Sequence, residues 1–151
     1  MRADEVINKG LAQIVLACIL WNRKERAVKV GENQKRKIVI AEDNRELCDV
    51  LKAILEGEGY EVDFVHDGFS LLAYLRETQD VDAVILDLIM PERGGISIFD
   101  TIRSVSPASK LIIYTGYTSY RHSIFARESD AFINKTDGAE KLLAVLKELL
   151  G

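Results

Sequence analysis

Glu42, Asp43, Asp87, Thr115 and Lys135 each stand at or just past the end of a short apolar run. The clearest case is Val84-Ile85-Leu86, which stops in Asp87 and is followed closely by Pro91, Gly94 and Gly95. This reads as a buried strand ending in a turn with a carboxylate at its lip. Three carboxylates brought together repel and raise one another's pKa unless a divalent cation compensates them. Their all-oxygen ligand set selects a hard ion such as Mg²⁺, which keeps some waters and bridges carboxylates to a phosphoryl group. Phosphoryl transfer needs little beyond positioning and charge neutralisation. On this reading the metal, Lys135 and Thr115 hold the three equatorial oxygens, and Asp87 is the nucleophile that forms an aspartyl phosphate.

That chemistry requires the five residues to meet, so the elements between them decide it. Lys37-Ala41 is a predicted strand, and Glu46 to about Glu56 a helix with Leu47, Val50, Leu51, Ile54 and Leu55 on one face, stopped by Gly57 and Gly59. Glu61-Val65 is a strand, Gly68-Arg76 a helix and Ala83-Asp87 the third strand. A helix from Ile96 to about Arg103, a strand at Lys110-Tyr114, a weaker helix near Tyr120-Glu128, a short strand at Ala131-Asn134 and a last helix at Gly138-Leu150 complete the pattern. Strands alternating with helices make a parallel α/β sandwich, because parallel neighbours need helical crossovers. In such a sheet the crevice lies outside the carboxyl ends of the strands, where all five residues fall.

Composition agrees with this domain and separates it from what precedes it. Hydrophobic residues make up 48% of the 151-residue chain, enough for an ordinary core, and only Cys18 and Cys48 are present, without metal-ligand spacing. A reduced, cytoplasmic compartment fits, and a disulfide framework does not. Residues 1-36 carry 8 lysines and arginines against 4 acids, leaving 12 against 20 in residues 37-151. The globular part is therefore acidic and offers no basic face for nucleic acid. Within residues 1-36, a helical extension and linker, Ile7, Leu11, Ile14, Cys18 and Trp21 recur at coiled-coil spacing and suggest a packing helix or a homodimer seam. A signal anchor competes, because Arg23, Lys24 and Arg26 follow the apolar stretch, but Ile14-Trp21 falls short of the ~20 residues of a membrane span.

Residues 37-151 resemble the receiver domain of two-component response regulators. The resemblance rests on the acid pair Glu42-Asp43, Asp87 in Asp-Leu-x-Met-Pro-x-x-x-Gly, Thr115, and Phe132-Ile133-Asn134-Lys135, all in order and at strand ends. It implies a flavodoxin-like, doubly wound, five-stranded parallel sheet of order 2-1-3-4-5 with five helices. It further implies that Asp87 is the phosphoacceptor, that Asp43 binds Mg²⁺ directly and Glu42 largely through water, and that the backbone carbonyl of Ile89 completes the ligands. Phe132 would be the switch aromatic, turning inward as Thr115 moves to the phosphoryl group. The implied partners are a histidine kinase or phosphotransfer protein and a downstream protein. Two residues depart from the pattern. Thr136 follows Lys135 where the family usually has Pro, so a looser lysine loop is expected, and Arg93 replaces an apolar residue of the loop after Pro91.

Ordinary structural roles compete at each position. Glu42 and Asp43 could cap the helix opened by Asn44 and Glu46, Thr115 could be a turn residue, Lys135 a solvated lysine and Phe132 a packing aromatic. His66 and His122 lack evident partners and read as surface residues. A phosphatase of the haloacid dehalogenase type would need an acid two residues after the nucleophile, where Ile89 stands, so a phosphoacceptor regulator is expected rather than an enzyme. A flavodoxin-type binder would carry its phosphate loop after the first strand. The remaining alternatives are a degenerate receiver acting only as an interaction module and a receiver fragment of a hybrid kinase. Ile89 and Tyr117, two positions after Asp87 and Thr115, would flank the approach of hydrolytic water.

Overall fold

The computed structural model describes residues 10, 12–16, 34–92 and 94–151. The chain divides between Gln34 and Lys35 into two compact units. In the first, residues 12–16 are helical, and Ile14, Val15 and Leu16 are exposed. The rest of the expected N-terminal helix and Arg93 lie outside the described residues. Among the described residues no helix is long and apolar enough to cross a membrane.

The second unit is a five-stranded parallel sheet of order β2-β1-β3-β4-β5, with strands at Lys37–Ala41, Glu61–Val65, Ala83–Leu86, Lys110–Thr115 and Ala131–Asn134 for β1 to β5. Five helices connect or follow them: α1 Arg45–Gly57, α2 Gly68–Glu77, α3 Gly95–Val105, α4 Ile124–Glu128 and α5 Gly138–Leu150. Side chains alternate across each strand, so the sheet feeds two cores. Ile38, Ile40, Ile85, Ile112, Tyr114 and Ile133 pack with Leu51 and Leu55 of α1 and Leu142 and Leu146 of α5. Val39, Val84, Leu86, Leu111 and Ile113 pack with α2 and α3 through Leu71, Leu75, Ile98 and Ile102. Strands covered on both faces must be apolar throughout, which is why β1 and β3 read as unbroken runs.

Helix boundaries follow local chemistry. Asn44 caps α1 by accepting the Leu47 N–H at 3.1 Å, and Asp67 caps α2 by accepting the Ser70 N–H at 2.8 Å. The buried face of α1 is narrower than its hydrophobic pattern. Cys48, Leu51 and Leu55 are buried, whereas Val50 and Ile54, expected inward, are exposed. A single sheet face accepts only the central stripe of a helix, and these two residues fall on its flank. The weak helix expected at Tyr120-Glu128 is broken into a 3₁₀ turn, Thr118–His122, and α4. Ser123 divides them, because its hydroxyl donates to the Tyr120 carbonyl at 2.6 Å and accepts the Ala126 N–H at 3.4 Å.

The strand order reverses between β1 and β3: from β1 the chain runs first to β2 on one side and then to β3 on the other. The two carboxyl ends therefore part around a crevice, the place where ligands bind in open α/β sheets. Glu42 and Asp43 follow one of these ends and Asp87 the other.

Candidate functional site

The loop after β3 is anchored before it reaches solvent. The Asp87 N–H donates to the Ala41 carbonyl at 3.0 Å, prolonging the β1–β3 ladder, and Asp87 Oδ1 accepts the Ile89 N–H at 3.2 Å. Gly95, the first residue of α3, lies against this loop. A Cβ there would sit 2.5 Å from the Asp87 carbonyl oxygen and 3.0 Å from Leu88 Cα, so only glycine lets α3 approach. Asp87 is consequently 4% exposed.

Carboxylate oxygens of Glu42, Asp43 and Asp87 all lie within 4.8 Å of one another. Glu42 is buried and Asp43 exposed, so the trio opens to solvent on one side. Lys135 enters from β5: its Nζ donates to Asp87 Oδ2 at 2.7 Å and pairs with Glu42 Oε2. The other Glu42 oxygen, Oε1, accepts the Asn44 N–H at 3.0 Å. Burial pushes the Glu42 carboxyl up, and the charge of Asp87 adds to this, while the Lys135 and Asn44 hydrogen bonds oppose it without cancelling it. For Lys135, burial by itself lowers the pKa, but hydrogen bonds to Asp87 and Glu42, together with their charges, outweigh it and leave the ammonium above its ordinary value.

Thr115 ends β4 at 0% exposure, and its Oγ1 accepts a long 3.4 Å bond from the Tyr117 N–H. It makes no hydrogen bond to Asp87 in this state. Ile89 and Tyr117 lie at the rim, 36% and 52% exposed. Phe132 is half-buried on edge strand β5 and packs against the α2–α3 core together with Tyr120 and Phe125, with the Arg121 guanidinium 5.8 Å from its ring centre.

Three expectations need correction. His66 has a partner: its Nδ1–H donates to the Glu42 carbonyl at 2.9 Å, tying the end of β2 to the acid loop. The Lys135 loop is not loose, although every described peptide bond is trans. Asn134 Oδ1 accepts the Thr136 N–H at 2.9 Å, and Asp137 Oδ2 accepts the Asn134 N–H at 3.2 Å, a reciprocal cap on the turn Lys135–Asp137. The spacing Asn134-x-x-Asp137 is readable in sequence as a capping box. The third is Asp87 itself, which lies just past β3 rather than within it.

The described donors, three carboxylates and no nitrogen or sulfur, suit a hard divalent cation, and the adjoining ammonium suits an anionic group beside it. The comparisons with known proteins agree. A family model described as the response regulator receiver domain matches residues 38–147. The transcriptional regulatory protein DltR of Streptococcus agalactiae is 27% identical over 113 residues, covering 74% of this chain and 50% of that protein. The transcriptional regulatory protein ZraR of Escherichia coli is 31% identical over 115 residues, covering 75% of this chain and 26% of that protein. This chain thus spans about half of one relative and about a quarter of the other. Among solved structures, the response regulator TrrA from Thermotoga maritima, in complex with Mg²⁺-BeF, is 29% identical with a TM-score of 0.70, covering 76% of this chain and 98% of that one. A receiver domain protein from Methanospirillum hungatei is 30% identical with a TM-score of 0.71, covering 76% and 93%.

Proposed function

The chain belongs to the response regulator receiver domain family, and on that premise we propose that it accepts a phosphoryl group on Asp87 and converts this into a change of protein partners. One observation carries the reading. The Asp87 carboxylate is held between two further acids and the Lys135 ammonium at the carboxyl end of the sheet. Glu42, Asp43, Asp87 and the Ile89 carbonyl would hold Mg²⁺, which when bound neutralises charge on the phosphoryl oxygens. An Asp87 oxygen attacks the phosphorus of a phosphohistidine on a histidine kinase or phosphotransfer protein, or of acetyl phosphate. The P–N or P–O bond breaks as the P–O bond to Asp87 forms. Lys135, already at Asp87 Oδ2, moves with the charge onto a phosphoryl oxygen, and the Thr115 hydroxyl takes another. Phe132, on the same face of the sheet as Thr115, turns inward with it and alters the β4–α4–β5 surface.

Residues 37-151 are the receiver in this reading, and residues 1-36 an extension that pairs two copies or packs on the domain. The acidic balance of residues 37-151 favours output through a protein rather than through direct contact of the receiver with nucleic acid. A cytoplasmic location suits the free, buried Cys48. Treating the protein with acetyl phosphate, with and without Mg²⁺, and separating the products on a phosphate-affinity gel tests the assignment. The wild type should shift only with Mg²⁺, and Asp87→Asn should not shift. Substantial Mg²⁺-dependent labelling of Asp87→Asn would refute it. Light scattering of full-length protein and of residues 37-151 tests the role of the extension.

A further inference from the structure

Asn134 is 1% exposed, and its Nδ2 is, among the described residues, the one buried side-chain nitrogen or oxygen without a hydrogen-bond partner. Its orientation is unambiguous. Oδ1 accepts both the Thr136 N–H at 2.9 Å and the Thr136 hydroxyl at 2.8 Å, and a flipped amide would set N–H against N–H. Capping alone does not call for this residue, since Ser, Thr or Asp accepts the same bond without adding a buried NH₂ group. A buried donor left unmet is costly, so its presence asks for a state in which it is met.

The β4–β5 register supplies the acceptor. Asn134 is the Cα partner of Thr115, and Ile113 pairs with Phe132 two residues earlier, so all four residues share one face of the sheet. Thr115 is fully buried, and its oxygen takes only the 3.4 Å bond from Tyr117. A hydroxyl has one hydrogen to donate and two lone pairs to accept with. We propose that Asn134 is a positioning residue acting through Thr115: its Nδ2–H donates to Thr115 Oγ1 when that hydroxyl turns to donate to a phosphoryl oxygen on Asp87. The result is a directed chain from Asn134 through Thr115 to the phosphoryl group. Each link orients the next, and the charge at its end strengthens both. The donor is unmet in the resting state and met in the phosphorylated state, so Asn134 biases the equilibrium toward the latter. Its Oδ1 meanwhile keeps the cap that steadies Lys135.

The proposal rests on Asp87 being the phosphoacceptor, and the test distinguishes failure of the two. Calorimetric titration of the full-length protein with beryllofluoride in excess Mg²⁺ reads the affinity for the phosphoryl mimic. Asn134→Asp keeps shape and cap acceptor but has no donor, and Thr115→Val removes the oxygen it would serve. Asn134→Asp should weaken binding by about tenfold, the worth of one buried donor, in the Thr115 protein and have little effect in the Thr115→Val protein. Asn134→Ala, which also loses the cap, should show the same coupling, because cap loss is common to both backgrounds and cancels in the cycle. Loss of the same size in both backgrounds, from the new charge or from a loosened loop, overturns the proposal, as does no loss in either. A wild type that binds no beryllofluoride overturns the phosphoacceptor reading and this proposal with it.

Discussion

Lys135 Nζ lies 2.7 Å from Asp87 Oδ2 while also pairing with Glu42, so one ammonium, on the residue after β5, bridges the carboxylates that follow β1 and β3. Both acids are nearly inaccessible, and only the lysine reaches solvent to any extent. Its charge is therefore a structural element of the resting site as well as a ligand for an incoming phosphoryl group.

Lys135→Ala leaves two buried carboxylates without their countercharge. Removing one member of a buried ionic group typically costs about 3–5 kcal/mol, less where water or a cation can enter. The variant should unfold at lower urea than wild type in EDTA, and Mg²⁺ should restore more stability to it than to wild type. Equal Mg²⁺ stabilisation of the two proteins would show that cation and lysine do not serve the same carboxylates.

Stability should depend on pH through Glu42. Burial holds its carboxyl above the ordinary range, so the folded chain keeps this proton to higher pH than the unfolded chain does. In that window the folded state binds more protons, and stability falls as pH rises from the ordinary carboxylate pKa to the folded value. Lys135 gives the same sign in a different window, at the alkaline end: its raised value adds stability that is fully present through neutral pH and is lost as pH rises through the folded pKa. Urea midpoints in EDTA from about pH 4 to 7 should show Glu42→Gln gaining on wild type as pH rises. Parallel curves would remove Glu42 as the source.

Gly95→Ala should destabilise the domain even though alanine is the better helix former. The added Cβ would meet the Asp87 carbonyl oxygen at 2.5 Å and Leu86 Cγ at 2.9 Å, and the first of these is backbone. Overpacking of this kind costs about 1–3 kcal/mol, against a propensity gain of about 1 kcal/mol. Phosphorylation by acetyl phosphate should slow as the Asp87 loop is displaced. A variant more stable than wild type would contradict the packing argument.

Thr115→Ala should separate phosphorylation from its consequence. The variant keeps all three acids and Lys135, so it should still be labelled, but its label should no longer alter partner binding or assembly. A labelled variant that binds and assembles like labelled wild type would show that the signal leaves by another route.

Ile89 and Tyr117 should lengthen the life of the phosphoryl group. Ile89 cannot hydrogen-bond an attacking water and Tyr117 is bulky, and both stand exposed at the rim. Loss of label in excess Mg²⁺, after the donor is removed, should be about tenfold slower than in the Ile89→Asn/Tyr117→Glu variant, a barrier difference of ~1.4 kcal/mol. Equal decay would show that these side chains do not govern water access.

Strand positions, the alternation of helices and the carboxyl-end location of Glu42, Asp43, Asp87, Thr115 and Lys135 were all legible in the sequence by itself. Each depends on local pattern: apolar runs, helical spacing, and the Pro and Gly that follow Asp87. What the tertiary structure alone decided is which partner each side chain meets. Nothing near His66 in the chain announces that its ring will bind the Glu42 carbonyl, because β2 and β1 adjoin only once the sheet is ordered. Val50 and Ile54 carry the same apolar signal as Leu51 and Leu55, and only the packing of the helix's central stripe on the sheet leaves the first pair outside. The capping box at Asn134 was readable, but not the unmet amide, since that depends on the register of two strands and on the burial of Asn134 in the folded domain. Hydrophobic periodicity specifies a face, whereas hydrogen-bond satisfaction is a property of the closed structure.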